Sequence, residues 1–163
     1  MTYRDAENHM RNFKRTSNKH LGELLVERGV LDQEQIAMAM AYQKEKGGLF
    51  GEILVELKFA TEEDIAQALT CQYGFPYLPL ANYEIDQDVL DSVPANVCRQ
   101  FCLIPIDKIG KSLTLAMADP LNVNAIEDVE LISGCGVQTF VATGSDVREA
   151  IKKYYGDKTE GSG

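Results

Sequence analysis

Two histidines, four cysteines and one run of three acids are the side chains whose types could do chemistry in this chain. Cys71, Cys98, Cys102 and Cys135 form no C-x-x-C pair, and neither His9 nor His20 lies beside them in sequence. That spacing does not suit a zinc site, so no metal is expected. Cys98 and Cys102 are four apart and would share a helical face as small buried hydrophobes. His20 has no neighbouring acid or cysteine to make it a base or ligand, and reads as a surface or helix-cap histidine. Glu62, Glu63 and Asp64 fall where a helix begins, where carboxylates favour the helix dipole rather than acid–base work. Gly47-Gly48 followed by Gly51 superficially resembles a phosphate-cradling loop, but lacks the P-loop spacing and its Lys-Ser/Thr pair. No G-x-S-x-G or H-E-x-x-H occurs either. No catalytic residue is expected, and the chain is not expected to be an enzyme.

The elements that must position any site belong to an ordinary globular chain. It has 163 residues, 45% of them hydrophobic, with a net charge of −9, so it is long enough for a real core. That balance argues against DNA or RNA as a partner, because a basic footprint supplies most of such affinity. No apolar run approaches the roughly 20 residues that span a bilayer, and the start MTYRDAENHM has no apolar stretch of the kind an export signal needs. Reduced thiols in the cytoplasm follow from this. Residues 1–18 carry Arg4, Arg11, Lys14 and Arg15 against Asp5 and Glu7, and are expected to be a flexible basic segment.

An internal repeat organises residues 19–74. LGELLVERGVLDQEQIAMAMAYQ at 21–43 aligns with FGEILVELKFATEEDIAQALTCQ at 50–72, with 10 identities in 23 positions. Each copy reads as a helical hairpin. A short helix through Leu21, Leu24 and Leu25 should stop near Gly29, a natural C′ glycine. Asp32 with Gln35 reads as a capping box opening a second helix, and Thr61 caps its counterpart. About four short helices should therefore pack as a bundle.

The pattern changes after Gly74. Phe75-Pro76-Tyr77-Leu78-Pro79-Leu80 must run extended. Short helices are expected at 86–93 and 94–100, with Pro94 near N1. A hairpin of strands should follow at 103–108 and 112–118, then a helix at 124–132 ending at Gly134 and a third strand at 137–142. A final helix at 146–155 would be capped by Ser145. The expected fold class is α+β: a helical bundle at 19–74, a small α/β unit of about three strands at 75–156 and a disordered tail at 157–163.

These motifs together carry a resemblance. HLGELLVERGVLDQEQIAMAMAYQ…LFGEILVELKFATEEDIAQALTCQYG, then FPYLPL, IDQDVLDSVPANVCRQFCLIPI, LTLAMADPLNVNAIEDVELISG and DVREAIKKYYG, resemble the N-terminal domain of type II secretion and type IV pilus assembly ATPases. The likeness covers about residues 20–156, and no motor domain with a P-loop accompanies it. The resemblance implies a bacterial, cytoplasmic, non-catalytic module that regulates or adapts a motor. In some members the duplicated motif binds cyclic di-GMP. Carried onto this sequence, the candidate ligand residues are His20, Leu21, Gly22, Leu25, Gly29, Met40 and Gln43 in the first copy. In the second they are Phe50, Gly51, Leu54, Leu69 and Gln72, with Asp119 of Ala118-Asp119-Pro120 placed to meet a guanine edge. Glycines admit close backbone approach, leucines can cover base faces, and glutamines offer donors and acceptors.

This sequence departs from the pattern in three ways. The family arginine before Leu-Gly is His20 in one copy and Leu49 in the other, and Lys58 stands where a glycine is expected. Residues 20–73 hold Arg28, Lys44, Lys46 and Lys58 against ten acids, a net charge of −6, which opposes a dianionic ligand. Two functions follow. One is a cyclic di-GMP receptor; the other is a protein-docking module for a cytoplasmic component of a secretion or pilus machine, or for a motor ATPase, with no small-molecule ligand. In the second, the leucines are simply helix core.

Overall fold

The computed structural model describes residues 21–156, so the basic segment 1–18, His20 and the tail 157–163 lie outside the described residues. The first helix, α1, covers 21–27. Three more follow: α2 (Gln33–Lys46), α3 (Phe50–Glu56) and α4 (Glu62–Tyr73). The expected caps form. Asp32 accepts from Gln35 N and the Gln35 side chain accepts from Asp32 N, both at 2.9 Å. Thr61 and Asp64 repeat this reciprocal pair at the start of α4.

The repeat extends to the backbone. Gly29 N donates to Val26 O at 2.9 Å and Val30 N to Leu25 O at 2.9 Å. One copy on, Lys58 N donates to Val55 O at 3.0 Å and Phe59 N to Leu54 O at 2.9 Å. Both turns need a left-handed residue, Gly29 at φ 76° and Lys58 at φ 64°. The glycine departure at 58 therefore changes the residue but not the turn.

The second half adds α5 (Gln87–Leu90), α6 (Ala95–Phe101), β1 (Leu103–Ile109), β2 (Ser112–Met117), α7 (Val123–Ser133), β3 (Gly136–Val141) and α8 (Gly144–Tyr155). The chain is thus α+β, with eight helices and one three-stranded sheet among the described residues. The sheet order is β1-β2-β3; β1 and β2 are antiparallel, β2 and β3 parallel with α7 as the crossover. Pro105 sits in the edge strand β1, where a missing N–H is tolerated, and the register shifts between Pro105 and Asp107. Residues 103–106 are all buried, because α5, α6 and α8 pack on that strand. The extended segment after Gly74 joins the sheet: Val141 N donates to Pro76 O and Leu78 N to Val141 O, both at 2.8 Å.

Several boundaries shift by a residue or two, and three differences have a visible cause. The helix expected at 86–93 is α-helical only over Gln87–Leu90, because Ser92 N and Val93 N reach back three residues, to Val89 O and Leu90 O. Pro94 is extended, at ψ 148°, and is the N-cap of α6 rather than its first residue. Thr143, not Ser145, caps α8, its hydroxyl accepting from Asp146 N at 3.2 Å. Both Thr143 and Ser145 have the chemistry of a cap, and the end of β3 at Val141 places Thr143 at the turn.

The core has two clusters. One gathers Leu21, Leu25, Leu54, Leu69 and their neighbours from α1–α4, and it recruits Leu121 and Val141 from the second half. The other lies between the sheet and α5–α8. Cys98 and Cys102 are buried in it, and burial pushes their thiols up to about 11 and about 12. Tyr154 donates to Tyr83 O at 2.7 Å, and Tyr155 to Leu90 O at 2.8 Å and Val93 O at 3.0 Å. These bonds tie the end of α8 to the chain that precedes the sheet.

Candidate functional site

The two halves meet at a cleft of about 340 Å³. Helix α3 supplies Gly51, Glu52, Val55 and Glu56, preceded by Leu49; α4 supplies Glu62 and Ile65. The turn after β2 contributes Ala118 and Asp119. The turn after β3 contributes Ala142 and Thr143, and α8 contributes Gly144 and Arg148. Parallel pairing of β2 with β3 is what sets these two turns side by side, since both strands end at the same edge.

One ionic network crosses the cleft. Arg148 Nη1 donates to Glu52 Oε2 at 2.7 Å, and Nη2 to Glu62 Oε1 at 3.0 Å. The same Glu62 oxygen accepts Ser145 N at 2.9 Å, so a carboxylate from the start of α4 sits at the N-terminus of α8, where the dipole favours it. Gly144 favours this approach. A Cβ there would lie 3.0 Å from Arg148 Nη1 and 3.1 Å from Glu62 Oε1.

Asp119 is half-buried, and its Oδ1 accepts from Leu121 N at 3.0 Å. Burial pushes its carboxyl up to about 6, against the opposing pull of that hydrogen bond. Chemically the cleft is acidic: Glu52, Glu56, Glu62 and Asp119 line it together with Arg148, and Glu52 and Glu62 pair with the guanidinium. It can exchange hydrogen bonds and ionic contacts; no group of three metal-ligating side chains forms among the described residues.

The sequence-derived candidates divide sharply. Gly51 and Asp119 line the cleft together. Leu21, Leu25, Leu54 and Leu69 are completely buried and Phe50 nearly so, all in the helical core. Gly22 faces Ile36, whose Cδ1 would lie 3.1 Å from an added Cβ, and Gly51 faces Ile65 at 3.8 Å. These are the same pair one repeat apart, so both glycines serve the packing of one hairpin helix on the next. Gly29 caps α1 and meets nothing nearby. Met40 is 36% exposed. Gln43 is half-buried and donates to Gly48 O at 3.0 Å, whereas Gln72 is exposed. Sequence reasoning missed Glu52, Glu62, Gly144 and Arg148. Glu52 stood in the repeat and could have been noticed there; nothing local marks Arg148, which is 86 residues from its partner Glu62.

Comparison with known proteins places these features. The profile of the MshEN domain matches residues 73–161. The chain is 33% identical over 138 residues to the type IV pilus assembly ATPase PilB of Myxococcus xanthus, covering 85% of this chain and 24% of that protein. It is 30% identical over 140 residues to PilB of Thermus thermophilus, covering 85% and 16%. It therefore spans a quarter or less of the length of these relatives. Among solved structures, MshE with cdg superposes with a TM-score of 0.63 at 28% identity, covering 83% of this chain and 98% of that one. The N-terminal domain of XpsE gives a TM-score of 0.71 at 24% identity over 86% and 96%, a likeness of fold.

Proposed function

The chain belongs to the MshEN domain family, and from that premise we propose that it is a non-catalytic regulatory module of the kind found in pilus and secretion ATPases, with cyclic di-GMP as its ligand. The observation that carries this reading is the likeness to MshE solved with cdg, over nearly all of that chain. The proposed ligand, which we read as cyclic di-GMP, would lie along the repeat and enter the cleft lined by Gly51 and Asp119. Gln43 and Gln72, at equivalent places in the two copies, would read its edges. The buried leucines support such a surface from beneath. The partner would be a cytoplasmic component of a pilus or secretion machine, or its motor, with residues 19–74 and 75–156 acting as two units. No helix among the described residues is long and apolar enough to cross a membrane.

Calorimetric titration with cyclic di-GMP, with cyclic di-AMP as control, tests this. Saturable binding selective for cyclic di-GMP is expected. Gln72→Ala should weaken it by about 5- to 150-fold, the effect of leaving a buried ligand group unpaired, with little change in melting temperature. His20→Arg should tighten it, since a guanidinium pairs phosphate better than a mostly neutral imidazole. Absence of binding in both wild type and His20→Arg at high micromolar ligand would overturn the receptor reading. The second reading, a docking module for a protein partner, is favoured by the acidity of the cleft, which four carboxylates and one arginine line. Neither reading includes nucleotide hydrolysis, and purified protein should not turn over ATP above background, because the sequence has no P-loop.

A further inference from the structure

A cyclic dinucleotide brings two phosphate charges, and the cleft offers little to meet them. Among the described residues that line it, Arg148 is the one cation. Its guanidinium is engaged on both sides, by Glu52 at 2.7 Å and Glu62 at 3.0 Å. The geometry around Glu62 is informative. Its Oε1 takes one N–H from Arg148 and one from the backbone of Ser145. A fork of guanidinium and backbone donors converging on one anionic oxygen is also how proteins hold phosphate oxygens. Glu62 thus fills, from within the chain, the place an anionic ligand would take.

Access and packing agree with this. The Arg148 side chain is half exposed and Glu52 is 40% exposed, while Glu62 is only 17% exposed. The guanidinium is therefore reachable from the cleft, with the inner carboxylate behind it and the outer one at the rim. The bare backbone of Gly144 lets both groups sit close to it, since an added methyl would stand within 3.1 Å of each.

On the reading that the ligand is cyclic di-GMP, we propose that Arg148 is its phosphate-contacting residue, and that Glu52 and Glu62 are built-in competitors which the phosphate must displace. Arg148 is on α8, whereas Glu52 is on α3 and Glu62 on α4. The same exchange therefore releases a contact that ties the helical repeat to the sheet half. Binding and loosening of that seam are one event, and neutralising a competitor strengthens binding without adding any contact to the ligand.

The test uses the full chain and its variants Glu52→Gln, Glu62→Gln, Arg148→Gln and Arg148→Lys, each checked for folding by its melting curve. Two probes are titrated separately: cyclic di-GMP and inorganic pyrophosphate. Glu52→Gln should tighten cyclic di-GMP binding about 1.5- to 5-fold, the range set by one partly exposed ion pair. Arg148→Gln should weaken it at least ten-fold, and Arg148→Lys, which keeps the charge and loses the fork, should fall between. Cyclic di-GMP binding undiminished in both Arg148 variants overturns the assignment and leaves the receptor reading standing. Tighter binding in Glu62→Gln but not in Glu52→Gln keeps Arg148 and removes Glu52 as a competitor. If no variant binds cyclic di-GMP, yet Glu52→Gln binds pyrophosphate and Glu52→Gln/Arg148→Gln does not, the receptor reading fails and Arg148 remains an anion contact. If neither the wild type nor any variant, His20→Arg included, binds either probe, both fall.

Discussion

Replacing Lys58 by glycine should stabilise the protein, although it deletes a side chain and adds no contact. Lys58 is held at φ 64°, in the same turn that Gly29 makes at φ 76° one repeat earlier. A residue with a Cβ in that region costs about 1–2 kcal/mol relative to its preferred conformations. Glycine escapes the cost but loses about 0.5–1 kcal/mol to the greater freedom of its unfolded chain. The difference spans about 0–1.5 kcal/mol, with a central net gain of about 0.5–1 kcal/mol. At roughly 2–4 °C per kcal/mol for a chain of this size, the melting temperature should rise by about 1–4 °C. Because Lys58 is exposed, loss of its charge must be separated from relief of strain. Lys58→Ala removes the charge and keeps the Cβ, so it should shift stability by no more than about 0.5 kcal/mol. Gly29→Ala imposes the strain on the first copy and should cost about 1 kcal/mol. Thermal unfolding followed by circular dichroism, with urea melts to confirm an unchanged slope, measures all three. If Lys58→Gly is neutral or destabilising while Gly29→Ala is costly, the equivalence of the two turns is wrong.

Asp119→Asn probes the cleft through pH. The carboxyl is raised to about 6 when folded, so the folded protein holds a proton that the unfolded chain releases near 4. Stability contributed by Asp119 should fall as pH rises from about 4 to about 6 and stay flat above it; Asp119→Asn should lack that component, and parallel pH profiles in urea unfolding would exclude it. Gly22→Ala should destabilise by about 1 kcal/mol through overpacking on Ile36. Gly51→Ala, with 3.8 Å of room, should gain about 0.5 kcal/mol from helix propensity, and equal effects on melting temperature would refute the difference in packing. Tyr155→Phe strips a donor from Leu90 O and Val93 O and should cost about 1–2 kcal/mol, read as a lower urea midpoint; an unchanged midpoint would show that water replaces the hydroxyl freely.

The sequence alone settled what depends on neighbours in the chain. The repeat was legible because an offset of 29 aligns Gly22 with Gly51 and Ile36 with Ile65, and those pairs make the same contact in both copies. Caps at Asp32 and Thr61 were legible because a capping box closes within three residues. Strand order within the hairpin followed from Gly110-Lys111 between two apolar runs. Boundaries with two chemically suitable residues were not decided locally: Thr143 prevailed over Ser145 as a cap because the sheet ends at Val141. Nor could the sequence separate a leucine that supports a surface from one that lines it. Leu21, Leu25, Leu54 and Leu69 have helical spacing in either case, and only the closed bundle buries them all. The cleft was the least legible of all. Arg148 meets Glu52 and Glu62 across 96 and 86 residues, because parallel pairing of β2 and β3 carries the start of α8 to the helical repeat. Such a meeting is set by how whole elements pack, and no short-range pattern of residue types encodes it.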